Sequence, residues 1–104
     1  ALGMGSSIAY ACSKGALNSL SLSLARTLAP KITVNSICPG YVETRWHGSS
    51  KEVYKKSKIN EKFVPLKKSA TPEDIASSIM WFVTSKNLIT GETIYVDGGY
   101  HLKA

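Results

Sequence analysis

The stretch Ile32-Thr33-Val34-Asn35-Ser36-Ile37-Cys38-Pro39-Gly40 decides how the chain folds. Its β-branched residues suit a pleated, half-buried surface, and Pro39-Gly40 closes it, so Ile32–Cys38 reads as a strand. Ahead of it, Leu17, Leu20, Leu24 and Leu28 recur at i, i+3, i+7 and i+11, one apolar stripe of a helix expected over Ile8–Leu28. Ser6 or Ser7 supplies the N-cap and Pro30 ends the helix. Beyond the strand, Tyr41–Ser69 is polar, basic and weakly periodic, and is expected to be a loop with one short helix or two. Thr71-Pro72-Glu73-Asp74 then starts a second long helix, with a capping threonine, a first-turn proline and acids at the positive helix end. Ile75, Ile79, Phe82 and Val83 give it a stripe expected to be buried, and it should end near Ser85. Thr90-Gly91 forms a turn, Thr93–Val96 a short strand, and Gly98-Gly99 breaks it.

Helix, strand, helix, strand is the order of an α/β protein. Two strands joined by a helical crossover run parallel, and a parallel sheet needs cover on both faces. Two strands are too few for such a sheet. The chain therefore reads as the C-terminal part of a larger doubly wound parallel sheet whose N-terminal strands are missing. Ala1 in place of Met agrees with an absent upstream portion.

Composition narrows the function classes. At 104 residues and 43% hydrophobic content, a modest core is within reach. No run approaches the ~18 apolar residues of a membrane span, and no signal peptide is visible. Cys12 and Cys38 form no CxxC pair and have no histidine at metal-ligand spacing; His47 and His101 read as surface or packing residues. No metal site and no disulfide framework are expected, and a cytoplasmic setting fits. The net charge of +6 comes largely from Lys51, Lys55, Lys56, Lys58, Lys62, Lys67 and Lys68. With only two arginines, and Tyr54 and Phe63 as the aromatics of that segment, it reads as a solvated helix face and no nucleic-acid partner is expected.

Chemistry concentrates at Tyr10-Ala11-Cys12-Ser13-Lys14. Residues four apart are neighbours on a helix, so the Lys14 ammonium can stand beside the Tyr10 phenol. A cation ~4 Å from a phenol, at an effective dielectric of ~20, favours its ionised form by about 4 kcal/mol. A phenol so placed can give a proton to a carbonyl oxygen or take one from an alcohol. The spacing alone is weak, because Tyr54-Lys55-Lys56-Ser57-Lys58 repeats it. Tyr10 differs in opening a strongly periodic helix that runs into a strand ending in Pro39-Gly40. On that helix Cys12, Gly15, Ser19, Ser23 and Arg26 lie opposite the leucines, a face for close helix approach, as from a second subunit, or plain solvent surface.

Tyr10-x-x-x-Lys14, the leucine-rich helix, and Ile32 through Pro39-Gly40-Tyr41-Val42-Glu43-Thr44 together resemble the short-chain dehydrogenase/reductase family. Thr71-Pro72-Glu73-Asp74-Ile75-Ala76 and Thr90-Gly91-Glu92-Thr93-Ile94-Tyr95-Val96-Asp97-Gly98-Gly99 resemble its closing helix and last strand. The likeness is nearest to 3-oxoacyl-carrier-protein reductase-like members. It implies that residues 1–104 form the C-terminal part of a single NAD(P)-binding, Rossmann-like domain. It implies an oxidoreductase moving a hydride between NAD or NADP and a small-molecule carbonyl or secondary alcohol.

The resemblance also implies roles. Tyr10 would be the general acid/base, and Lys14 would hold the nicotinamide ribose; both count as catalytic and cofactor-binding. Pro39 and Gly40 would pass beside the nicotinamide ring, the Val42 backbone would bind the carboxamide, and the Thr44 hydroxyl would contact the carboxamide or a phosphate. Trp46 and His47 fall where relatives cover the substrate. A homodimer or homotetramer is implied for the full-length parent.

The family's glycine-rich loop, catalytic serine and catalytic asparagine would lie upstream of Ala1, and Ser6 and Ser7 stand too near Tyr10 to replace that serine. The chain alone is therefore expected to be inactive. The competing reading is a catalytically inactive assembly module of the same fold. Tyr100 and His101 would reach a neighbouring subunit's site or form a loose tail.

Overall fold

The structure is a computed structural model that describes residues 7–44 and 48–102. Five elements follow in order: α1 (Ile8–Leu28), β1 (Ser36–Pro39), α2 (Ser50–Phe63), α3 (Pro72–Thr84) and β2 (Thr93–Val96). The chain divides into two compact units, residues 1–36 with 88–93, and residues 37–87 with 94–104.

In the first unit α1 takes the expected bounds, with Ser7 as N-cap. The expected strand Ile32–Cys38 is corrected: regular strand begins only at Ser36. The reason is where the hydrogen bonds go. Val34 N–H donates to the Thr90 hydroxyl at 3.0 Å, and Val34 C=O accepts from Gly91 N–H at 2.8 Å. The Asn35 amide replaces the main chain in the next rung, donating to Ile89 C=O and accepting from Glu92 N–H. Only from Ser36, which donates to Glu92 C=O at 2.9 Å, does backbone pair with backbone along a strand. Gly91, at φ +74°, makes the turn that presents these partners.

In the second unit the pairing ends with Gly40 N–H on Val96 C=O at 3.3 Å. Both partner numbers rise by the same amount along the strands, so β1 and β2 are parallel. Past β1, Val42 makes an isolated parallel bridge to Ala70. Among its described residues the Tyr41–Ser69 stretch holds one helix, the 14-residue α2, longer than the short pieces expected. Ser49 caps it, accepting from Glu52 N–H. The Thr71 start of α3 is a full capping box, Thr71 and Asp74 each bonding the other's N–H.

The α3 stripe is the second correction. Ile79 is 46% exposed and Val83 72%, and no α3 residue is buried. The Leu stripe of α1 is likewise open, with Leu17 and Leu20 half exposed. Among the described residues the buried apolar side chains are Ala25 and Val64. Ala25 sits beside the Gly91 turn and Val64 beneath Gly98, whose φ of +63° and lack of a side chain both suit the close approach. These periodic apolar side chains stand on faces that the described residues leave open.

Candidate active site

Tyr10 stands in the first turn of α1, its N–H held by the Ser7 side chain at 3.1 Å. Lys14 Nζ lies 5.5 Å from the centre of the Tyr10 ring, on the same side of the helix. Tyr10 is half exposed. The repeat of the motif on α2 adopts the same pose, with Lys58 Nζ 5.4 Å from the centre of the Tyr54 ring. The pairing itself is thus what four-residue helical spacing produces anywhere. The surroundings separate the two: Lys58 is paired with Glu61 at 3.5 Å, whereas among the described residues Lys14 has no acidic partner. The Lys14 charge is left to act on the phenol or on a ligand.

Pro39 ends β1, and Gly40, Val42 and Thr44 follow beyond it, in the second unit. At Gly40 an added Cβ would come within 2.8 Å of Asp97 Cβ and 3.1 Å of its Cα. The missing side chain is required by the neighbouring strand, a reason internal to the chain. At Val42 the bridge runs through Glu43 N–H, which donates to Ala70 C=O at 3.0 Å. In such a bridge the central residue turns its own N–H and C=O to the opposite edge. Val42 therefore offers one donor and one acceptor, the complement of a primary carboxamide. Thr44 lies beside them on a 360 Å³ groove lined also by Glu43, Gly48, Ser50 and Val53. Donor, acceptor and hydroxyl in sequence fit the nicotinamide end of a dinucleotide. Arg45, Trp46 and His47 lie outside the described residues.

Sequence reasoning passed over two acids. The side chain of Asp97 is 7% exposed, and its carboxylate accepts from Gly99 N–H, His101 N–H and His101 Nδ1, all near 3.0 Å. His101 also stacks on Tyr95, ring centres 4.4 Å apart. His101 thus folds back as a cap on the last strand, which replaces the loose tail considered from sequence. Burial works against the Asp97 charge, but these donors together outweigh it and hold the carboxyl below its ordinary value. Glu43 is the other, bonded to Ser57. Burial and then the Glu43 charge push the Tyr41 phenol up, so it stays a donor, to Val53 C=O at 3.1 Å. Both acids belong to motifs quoted from the sequence; their partners lie between two and fourteen residues away and follow no helical or strand periodicity.

Among the described residues no three His, Cys, Asp or Glu side chains gather as a metal site, and no helix is long and apolar enough to cross a membrane.

Solved structures of the same fold set the class. A short-chain dehydrogenase family protein from Francisella tularensis superposes with a TM-score of 0.80 at 33% identity, covering 98% of this chain and 47% of the other. A small-chain dehydrogenase in complex with NADPH matches with a TM-score of 0.77 at 29% identity, over 89% of this chain and 42% of that one. These are oxidoreductases with a Rossmann-type sheet. Residues 2–101 match the family described as enoyl-(acyl carrier protein) reductase. A short-chain dehydrogenase/reductase homolog of Bacillus subtilis, YusR, is 41% identical over 100 residues, 96% of this chain and 74% of that protein. The chain belongs to the short-chain dehydrogenase/reductase family, whose members are NAD(P)-dependent oxidoreductases. It spans about two-fifths of the length of most curated relatives it matches, 37% in the case of glucose 1-dehydrogenase 2 of Bacillus subtilis.

Proposed function

We propose that this chain is the proton-exchanging half of a single NAD(P)-binding domain that reduces a carbonyl compound or oxidises a secondary alcohol. The observation that carries this reading is the Tyr10–Lys14 pair, a phenol capped into the first turn of α1 with a cation over its ring that no described acid neutralises. Tyr10 gives its hydroxyl proton to the carbonyl oxygen as that oxygen gains charge, and regains it from solvent; in the oxidative direction it takes the alcohol proton. Lys14 stabilises the phenolate left behind and has donors to spare for ribose hydroxyls. Val42 and Thr44 hold the carboxamide, and Pro39-Gly40 carries the backbone past the ring. The bound dinucleotide supplies or accepts the hydride.

On this reading the glycine-rich phosphate loop and the hydroxyl that orients the carbonyl lie outside residues 1–104, so turnover needs the remainder of a full-length protein. The test is loss of reduced-nicotinamide absorbance with a panel of ketones and NADH or NADPH. Turnover by the full-length protein, and none by residues 1–104, supports the reading. A full-length protein that neither binds nor oxidises either dinucleotide contradicts it.

A further inference from the structure

The polar contacts of α2 carry an inference beyond the chemistry at Tyr10. Helices of soluble domains normally dock by an apolar stripe. On α2 the larger apolar side chains point elsewhere: Tyr54 is 64% exposed, Ile59 56% and Phe63 69%. What the helix buries is Ser57, at 3% exposure, and it is held by hydrogen bonds. Ser57 Oγ donates to Glu43 Oε1 at 2.6 Å. Tyr41 Oη donates to Val53 C=O, one turn earlier on the same face. From the other side, Ser69 Oγ donates to Ser57 C=O and accepts from the Asn60 amide, each at 3.1 Å, and Ser69 is itself 4% exposed. Glu43 in turn is fixed by its N–H on Ala70 C=O.

Glu43 therefore joins two things directly. Its backbone lies between Val42 and Thr44, and its side chain grips the middle of α2. The groove beside Thr44 is lined by Glu43, Thr44 and Gly48 together with Ser50 and Val53 of α2. The position of α2 sets how wide that groove stands.

We propose that Glu43 is a positioning residue: through Ser57 it couples the conformation of the Val42–Thr44 run, and so any ligand seated on that run, to the docking of α2. The identity of that ligand as a dinucleotide rests on the function proposed above. α2 ends on the buried Val64, but along its length the buried residue is a hydrogen-bonded serine, so its middle can be released and recaptured by breaking a few hydrogen bonds.

The test is amide hydrogen exchange of Ser50–Phe63 in the full-length protein, with and without saturating NADH or NADPH. In the wild type, dinucleotide should slow α2 exchange at least fivefold. Ser57→Ala should speed α2 exchange about tenfold without ligand, abolish the slowing by dinucleotide, and leave α1 exchange unchanged. Glu43→Gln keeps an acceptor oxygen for Ser57 and should retain most of the slowing, whereas Glu43→Ala should behave as Ser57→Ala. Equal slowing in wild type and Ser57→Ala overturns the coupling. A wild type that binds neither dinucleotide sinks the function reading instead, and the ligand-free comparison then decides the clasp: faster α2 exchange in Ser57→Ala supports it, equal exchange overturns it.

Discussion

Gly40 and Asp97 lie back to back just past the ends of the paired strands, so close that a methyl on Gly40 would sit 2.8 Å from Asp97 Cβ. The glycine at the end of β1 therefore answers to the last strand before it answers to any ligand. Gly40→Ala should cost about 1–3 kcal/mol through overpacking, with or without dinucleotide. Urea denaturation of the full-length variant measures it, and unchanged stability with weakened dinucleotide binding would show that the glycine serves the ligand alone.

Asp97 brings a pH dependence of definite sign. Its carboxyl is held below the ordinary aspartate value of 3.8, so the ionised form is favoured more in the folded state than in the unfolded. That stability is present above pH 3.8 and is lost as pH falls through the lower folded value. Acid unfolding followed by exchange at Gly99 and His101 should show this loss. Asp97→Asn should flatten it, since an amide does not titrate; an unaltered acid profile would contradict the assignment.

The reciprocal bonds between Thr71 and Asp74 make the start of α3 a discrete stabilising unit. Thr71→Ala should lower stability by about 1 kcal/mol, whereas Thr71→Ser should cost only a few tenths. Equal losses for both would place the threonine's contribution in its methyl group rather than its hydroxyl.

How much of this was legible beforehand follows from the range of each signal. The bounds of α1, the cap at Thr71 and the strand Thr93–Val96 are set by neighbours within a few residues, and those readings held. The strand at Ile32 started late because Asn35 and Thr90, far apart in sequence, take over its first rungs. The α2 helix was under-read because its inward face is serine and asparagine held by Glu43 and Ser69, a polar pattern that hydrophobic periodicity cannot register. Tyr10 and Lys14 were visible as a spacing, yet Tyr54 and Lys58 reproduce their geometry. Context in the chain, and not distance, singled out the first pair.

The open stripes on α1 and α3 predict how the chain behaves alone. With Leu17, Leu20, Ile79 and Val83 exposed, residues 1–104 in isolation should bind a hydrophobic dye and unfold over a broad urea range. The full-length protein should do neither. A sharp, cooperative transition with no dye binding by the short chain would mean that these faces need no cover.

The central claim is that Tyr10, and not its twin Tyr54, exchanges the proton. Turnover of Tyr10→Phe and Tyr54→Phe in the full-length protein, with dinucleotide affinity measured alongside, tests it most directly. Tyr10→Phe should lose on the order of 10²–10⁴-fold in kcat while dinucleotide affinity stays within a few fold, and Tyr54→Phe should match the wild type. Retained turnover in Tyr10→Phe, or an equal loss in both variants, would contradict the account.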